Sequence, residues 1–418
     1  MSARHPRLAL ALVIAEGFLG RLTFGMVSFG LPLYAASLGL SLAEIGLLIS
    51  LRTVVAVVLK PFAGWLADRT SVRAVYLGGT LARVGAAAAL LAVGSLAGLC
   101  GVRVLQGASA AGRDVASLSV IARDAANRIG SVYSWYATAK HIGGVGGAAA
   151  AGGILAVTGN SYQTLFVIVL ALSMLPVAAA WLALREVPDV ATTRGGPGLG
   201  GDRPGSGSAW SATTTLVREL RGPATLGMLV ATSAYMVHGL LPVLATDYAG
   251  LTPGQTGAIY TLSAVVFLIS GPVFGWIIDR YGHAVGTTWR SFANVGSSVA
   301  FMVSPTLVGF VAAKTLDDSG KAAFRPAWAT LIAGIANRDP RQRSRRLAVL
   351  DTSETAGEAI GPALAGVLWQ TGGIYVLFAA RIAIAVGAEV TAWRLIVADR
   401  RADPAVPLAA PSAVGPTS

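Results

Sequence analysis

The sequence predicts an all-α membrane protein with about twelve spans, arranged as two pseudo-repeated bundles of six helices. Three observations predict this fold class: an apolar composition, apolar runs of regular length, and a repeat between the two halves of the chain. Of the 418 residues, 54% are hydrophobic and only 12% are charged, whereas about a quarter of the residues in a soluble domain are charged. The composition therefore belongs to the membrane class of proteins.

Twelve runs of mostly apolar residues are long enough to cross a bilayer, which takes about 20 residues in a helix. The first run follows Arg4 and Arg7, as the apolar core of a signal peptide would, but it contains Glu16 and Arg21 and eleven further runs follow it. We therefore interpret it as a retained span. The expected spans are 8–35, 45–67, 72–94, 96–121, 131–157, 161–184, 223–246, 255–278, 284–304, 306–335, 347–369 and 374–397.

Lysine and arginine residues alternate between the connections. The even-numbered connections contain them, whereas the odd-numbered ones contain none. Because basic connections stay on the cytoplasmic side of a membrane, both termini are predicted to be cytoplasmic. The composition resembles that of a high-GC bacterial genome, so we expect a multi-pass protein of the inner (plasma) membrane with the lipid bilayer around it.

The polar segments divide the chain into four regions. Residues 195–207 contain seven glycines, which predicts a flexible linker between the halves. The tail is rich in Pro and Ala and is predicted to be disordered. The regions are an N-terminal six-helix half at 1–184, a cytoplasmic linker at 185–222, a C-terminal six-helix half at 223–397 and a cytoplasmic tail at 398–418.

Several function classes are disfavoured by what the sequence contains. The net charge of +12 is spread between apolar runs rather than gathered in one basic domain, so no nucleic-acid partner is expected. A single cysteine, Cys100, and four scattered histidines give no metal-ligand spacing, and we expect neither a metal nor a cofactor. No phosphate-binding G-x-x-x-x-G-K-[ST] loop is present. No catalytic cluster favours an integral-membrane enzyme.

An internal repeat relates the two halves. The segment 61–69 (PFAGWLADR) recurs at 272–280 (PVFGWIIDR), where proline, glycine, tryptophan, aspartate and arginine all match at an offset of 211 residues. The same offset relates Arg103 to Lys314. Two parallel repeats of six helices are an arrangement by which transporters form a site near the middle of the membrane.

These residues carry a family resemblance that covers nearly the whole chain. The segment 64–69 (GWLADR) resembles the signature loop of the major facilitator superfamily, and 103–107 (RVLQG) resembles its R-x-x-Q-G motif, which is common in proton-linked members. The resemblance implies a secondary transporter that moves a small-molecule solute by alternating access, with proton-coupled efflux as the preferred interpretation. Proton-linked uptake of a metabolite and a non-transporting membrane helper remain as alternatives.

A glycine-rich pattern bears on the direction of transport. Exporters of this family usually carry G-x-x-x-G-P in span five, where this chain has Gly143 and Gly147 followed by Ala148 in place of proline. A fuller version, Gly357 to Pro362, lies in span eleven. Tight helix packing by small residues explains both patterns equally well.

The resemblance implies gating roles for the residues of the two loops: Gly64, Asp68 and Arg69 in the first and Asp279 and Arg280 in the second. We expect Asp68 to stabilise the outward-open state by pairing with a basic residue at the inner end of span four, where Arg113 fits, and by facing the positive N-terminal end of span eleven. The basic tail of the second loop is reduced, so the first loop is expected to matter more.

Spans two and eleven are implied to pack against each other across the halves. Lys60 and Glu354 both lie about seven residues from the cytoplasmic ends of their helices, which places both roughly 10 Å deep. We therefore predict that they pair when the cytoplasmic side is closed, with snorkelling of Lys60 as the alternative. Glu358, one turn deeper, would remain free to take a proton or touch the solute.

Charged residues at bilayer depth are costly unless paired or hydrated, so each one is a functional candidate. On one stripe of span ten, cations alternate with Asp318, which favours either a structural ion ladder or a carboxylate that takes a proton. The proton-coupling candidates are Glu16, Arg103, Asp317, Asp318 and Glu358. The candidates for lining the solute cavity are Arg21, Gln106, His238 and Lys314. Snorkelling or structural pairing is expected for Arg83, Arg290, Arg381 and Glu389.

Overall fold

The computed structural model describes residues 6–124, 129–186, 216–337 and 342–402, and these ranges are almost entirely α-helical. The helices of the N-terminal half are α1 (Pro6–Ser37), α2 (Leu42–Arg69), α3 (Val72–Ala89), α4 (Leu96–Asp124), α5 (Ile129–Val157) and α6 (Tyr162–Glu186). Those of the C-terminal half are α7 (Arg221–His238), α8 (Pro253–Tyr281), α9 (His283–Val303), α10 (Leu307–Asn337) and α11 (Arg343–Ala402). Gly373 divides α11 into two arms, so the described helices supply the twelve spans that the sequence predicts.

The repeat extends to the way in which equivalent helices begin. Helix α2 starts with a capping box in which Ser41 caps the helix and Glu44 bonds back to it. Helix α8 starts with the same device, built from Thr252 and Gln255, again 211 residues later. Each box satisfies backbone N–H groups that a helix start leaves without partners. The second and eighth spans therefore begin alike although the sequence motif that relates them lies at their other ends.

Two spans differ from their predicted form. Helix α7 ends at His238, and a short turn at Leu241–Val243 and a π-helical segment at Leu244–Tyr248 continue it with a bend of 43°. Pro242 lies within this turn, and because proline has no backbone N–H it cannot maintain the helical bonding pattern. Spans eleven and twelve join within the predicted connection at 370–373, where the chain stays helical up to a turn at Gly373 with a φ of 77° that favours glycine.

The segment predicted as a linker, 185–222, ends in structure that belongs to the C-terminal half. Residues 216–219 are helical, and Leu216 and Leu220 are buried in an apolar cluster with residues of α7, α10 and α11. Arg346 donates to Glu219 over 2.7 Å and fastens this helical turn to the start of α11. The glycine-rich portion, 187–215, and the tail from 403 lie outside the described residues.

By length and hydropathy alone, five described helical segments qualify as membrane spans, and the bent α7 adds a sixth. Helices α4 and α10 fall short because they carry charged residues. These residues are Arg103, Arg113, Lys314, Asp317 and Asp318, all of them buried. Charges that point into a helical bundle lower the mean hydropathy of a span without exposing charge to lipid.

The two halves meet at one end of the bundle, which we call the closed end and which carries the connections at 38–41, 158–161 and 249–252. There α2 packs on α11 and α5 packs on α8. A Cβ added to Gly152 would lie 2.6 Å from the carbonyl oxygen of Pro253, and one added to Gly46 would meet the carbonyl oxygen of Pro362. Glycine is required at both positions because the backbones of the two halves approach so closely.

Candidate transport pathway

We call the opposite end, which carries the signature loops, the open end, and we call the space between the halves toward it the cavity. The polar and ring contacts that join the halves run from the Ala43 N–H and Gln370 Oε1, 2.9 Å apart at the closed end, to the rings of His141 and Phe267 near mid-depth. At the open end, a Cβ added to Gly64 or Gly275 would meet no atom within 4 Å. These polar and ring contacts between the halves thus lie between the closed end and mid-depth, whereas the repeated signature loops lie at the other end.

A buried carboxylate organises the N-terminal half. Glu16 on α1 is fully buried, and its Oε1 lies 2.6 Å from Nη2 and 2.7 Å from Nε of Arg113 on α4. The Tyr76 hydroxyl donates to Oε2 over 3.0 Å, and Arg83 Nη1 approaches Oε1 to 4.0 Å. Gly20 makes room for the two guanidinium groups, since an added Cβ would collide with both. Glu16 thus links α1 to α3 and α4.

A second buried carboxylate organises the C-terminal half. Asp317 on α10 accepts from Arg381 at 2.6 Å and from Arg290 at 3.1 Å, and Lys321 lies 2.5 Å from its other oxygen. The next residue, Asp318, pairs with Lys314 and accepts a hydrogen bond from Ser263 on α8. A carboxylate with several cationic donors is a strong, geometrically specific contact. Asp317 and Asp318 therefore connect α10 to α8, α9 and α11.

The stripe of alternating charge on α10 forms an ion ladder, the first of the two interpretations that the sequence allowed. Arg290 and Arg381, expected either to snorkel or to pair structurally, are paired and buried. Sequence reasoning missed Tyr76 and Ser263, which complete the two carboxylate clusters. No spacing signal could have revealed them, because each lies on a different helix from the acid that it contacts.

The wall of the cavity is basic on one side and carries acid on the other. Arg21 and Arg52 of the N-terminal half lie 5.3 and 4.0 Å from the ring centre of Phe24. Glu358 of the C-terminal half lies near Tyr235 and interacts electrostatically with both arginines. Glu358 forms no ion pair within 4.0 Å with any residue in the described ranges. Opposite charges thus face each other across the cavity.

His238, expected on the cavity wall, is exposed at the end of α7 and packs its ring against Tyr235 at 5.5 Å. Lys314, expected there too, is buried and donates to Ser263 over 2.6 Å. Arg103 donates to Gln106 over 3.0 Å, so these two residues of the R-x-x-Q-G motif bond within one turn of α4.

The signature loops adopt the same local arrangement in both halves. Arg69 lies 4.5 Å from the ring centre of Trp65, and Arg280 lies 5.9 Å from that of Trp276. Asp279 is exposed, and the Asp68 side chain lies outside the described residues. Arg113, the expected partner of Asp68 in the outward-open state, pairs with Glu16 in this structure, and the pairing with Asp68 stays a prediction.

The predicted Lys60–Glu354 pair is not formed in this open structure. Glu354 accepts a hydrogen bond from Trp328 Nε1 over 3.0 Å. Lys60 interacts electrostatically with Asp114, which itself pairs with Lys140 at 3.2 Å. Pairing was predicted for the state closed at this end, so it stays a prediction.

The glycine patterns of spans five and eleven are packing surfaces in this structure. A Cβ added at Gly143 would lie against the backbone of Phe18, and one at Gly147 against that of Leu22, both on α1. In the other half, an added Cβ at Gly361 would lie 2.8 Å from the carbonyl oxygen of Thr232 on α7. Close contact of backbones accounts for these glycines whichever way a solute moves.

Comparison with solved structures finds the same fold in several transporters at low sequence identity. The nucleoside transporter NupG, as its D323A mutant, matches with a TM-score of 0.72 and 16% identity over 93% of this chain and 99% of that one. A bacterial homologue of the human lysosomal transporter Spinster, inward-facing and occupied, matches with 0.70 and 15% identity over 96% and 98%. A bacterial homologue of the iron transporter ferroportin, inward-facing, matches with 0.68 and 16% over 92% and 97%.

The sequence matches the model of one protein family but no individual curated protein. The family model of the Major Facilitator Superfamily matches residues 16–313 and, in a second match, residues 224–416. These two matches together cover both six-helix halves, in agreement with the motifs and the fold. The chain is a membrane transporter that belongs to the major facilitator superfamily.

Proposed function

We propose that the chain exports a small organic solute by alternating access in exchange for protons. The observation that carries this proposal is the one-sided contact between the halves, which leaves the cavity continuous with the open end. The positions of Lys and Arg in the sequence favour a cytoplasmic location for that end. A solute would then enter from the cytoplasm and leave after the halves rock against each other.

Glu358 is the carboxylate that we propose as the proton carrier. It borders the cavity, it lies near the uncharged Tyr235, and its attraction to Arg21 and Arg52 crosses from one half to the other. Protonation would remove that attraction and so favour one state of the cycle over the other. Glu16, Asp317 and Asp318 are held by cations inside single halves, which supports a stabilising role for them.

The export direction is supported by the sequence. It is favoured by the R-x-x-Q-G motif at 103–107 and by the partial glycine pattern of α5. Proton-linked uptake would use the same cavity and the same carboxylate, so only the sign of the response to a pH gradient separates the two.

Proteoliposomes with a panel of labelled organic solutes test the proposal. A pH gradient that drives protons in should stimulate efflux of at least one solute, and Glu358→Gln should abolish the stimulation while leaving counterflow exchange without a gradient. Glu389→Gln is the matched control, because Glu389 bonds only Thr288 and Ser291 among the described residues. Solute flux that does not depend on the pH gradient would rule out proton coupling. Uptake stimulated by the inward proton gradient would show that the chain imports its solute.

A further inference from the structure

The N-terminal half contains a small pocket whose charge is unbalanced. It lies among α1, α2, α3, α4 and α6, has a volume of about 40 Å³, and is lined by Arg52, Arg83 and Arg113. None of its lining residues is acidic. Glu16 behind Arg113 approaches two of the three guanidinium groups. The third, that of Arg52, interacts with the acids Asp114 and Glu358 and with the further cations Arg21 and Arg103, so positive charge remains in excess. Uncompensated charge at bilayer depth is costly, so a bound anion would stabilise this arrangement.

The hydrogen-bond donors around the pocket are those that an anion needs. Arg83 Nη1 is buried and has no hydrogen-bond partner, although Glu16 lies 4.0 Å away. Gln106 uses its carbonyl oxygen to accept from Arg103, which leaves its amide N–H groups as donors. The hydroxyls of Ser109 and Ser173 donate to backbone carbonyls instead. Unpaired guanidinium and amide N–H groups around one small space are suited to an anion.

The pocket borders the cavity between the halves. Arg52, on its α2 wall, is half-buried, stacks on Phe24 and interacts electrostatically with Glu358 across the cavity. Arg103 adds another positive charge close to Arg52 and leaves its buried Nε without a hydrogen-bond partner. A ligand that enters the cavity therefore meets a positive field that leads toward the pocket.

We propose that this pocket is a binding site for one compact anionic group, either a halide ion or the carboxylate of an organic solute. Its volume accommodates a few non-hydrogen atoms, so a whole organic solute would leave the rest of its structure in the cavity. Binding here requires neither turnover nor a proton gradient. The site is therefore testable independently of the transport direction and coupling proposed above.

The experiment uses the purified full-length chain in lipid nanodiscs, with thermal unfolding followed during separate titrations of sodium chloride and sodium acetate. The wild-type chain should show a saturable rise in unfolding temperature. In Arg83→Gln the apparent dissociation constant should rise at least about tenfold, since a charged hydrogen-bond donor is lost. Arg394→Gln removes one positive charge from an exposed side chain of the other half and should titrate like the wild type.

A second variant separates a true pocket from a general effect of charge. Ala110 lines the pocket and is buried, so Ala110→Leu should fill the space while keeping all three arginines, and the saturable response should disappear. If Arg83→Gln does not fold, the response of Ala110→Leu alone tests whether the anion binds in this pocket. A response to chloride would identify a resident inorganic ion, and a response to acetate alone would identify the acid group of a solute. Equal responses in wild type and Arg83→Gln, or a wild-type response in Ala110→Leu, would overturn the proposal.

Discussion

Glu16 and Arg113 form a buried ion pair between α1 and α4, with 2.6 Å between Oε1 and Nη2. Both side chains are almost fully buried, and 97 residues of sequence separate them. Removing one partner of a buried pair leaves an uncompensated charge, which costs far more than an exposed pair would contribute. The pair therefore acts as a structural joint of the N-terminal half.

We predict that Arg113→Gln destabilises the protein by roughly 3–5 kcal/mol, because Glu16 loses its principal partner. The double variant Glu16→Gln with Arg113→Gln should recover part of that loss, since two neutral amides can hydrogen-bond to each other. Thermal unfolding of the detergent-purified protein measures both effects. If the double variant were as unstable as the sum of both single variants, the two side chains would not be coupled.

Asp317→Asn should be the most destabilising neutralisation among the acidic residues of the C-terminal half. It leaves three cations, Arg290, Lys321 and Arg381, around a neutral amide. We expect a loss of several kcal/mol and poor recovery of folded protein. Glu389→Gln is the control, because Glu389 accepts from hydroxyl groups only among the described residues. Similar unfolding temperatures for the two variants would show that the three cationic contacts of Asp317 do not stabilise the C-terminal half more than the hydroxyl contacts of Glu389 do.

The contact at the closed end predicts a cross-link. Ala43→Cys with Gln370→Cys, in a chain where Cys100 is replaced by Ala, should be joined by a reducible bis-methanethiosulfonate cross-linker, since the Ala43 N–H and Gln370 Oε1 lie 2.9 Å apart. The link should hold the halves in the open-end state and stop transport, and reduction should restore it. A chain that is fully cross-linked yet transports normally would show that these ends need not separate.

Charge exchange tests the predicted pair of the opposite state. Each of Lys60→Glu and Glu354→Lys should impair transport, and the double exchange should restore part of it, because the pair would again attract when the open end closes. Protein abundance provides the control for folding. Full activity of Lys60→Ala would eliminate a role for this pair.

Cysteine labelling tests which side of the membrane each connection faces. Because the odd-numbered connections carry no Lys or Arg, cysteines placed at Gly98 and Gly159 should react with a membrane-impermeant maleimide added to intact cells. A cysteine at Gly200 should react only after permeabilisation. Labelling at Gly200 but not at Gly159 would invert the assignment of inside and outside.

Sequence reasoning identified the charged residues of the site more successfully than their partners. It singled out Glu16 and Asp317 because charge at bilayer depth is rare and costly. It named Arg113 only as a gate partner of Asp68 in the outward-open state, and it did not find the pairing of Arg113 with Glu16 that the structure shows. Helical periodicity gives the face on which a side chain lies, but it does not give the helix against which that face packs.

The sequence by itself determined the membrane class, the number of spans and the two-fold repeat. Those follow from local rules: a bilayer requires apolar helices of a certain length, and the repeat places proline, glycine and tryptophan at one offset. Only the tertiary structure decided that Arg381 reaches Asp317 across 64 residues and that Ala43 of one half contacts Gln370 of the other at the closed end. These relationships depend on helix packing between distant segments, where glycine contacts such as Gly152 against Gly257 fix the distance between backbones.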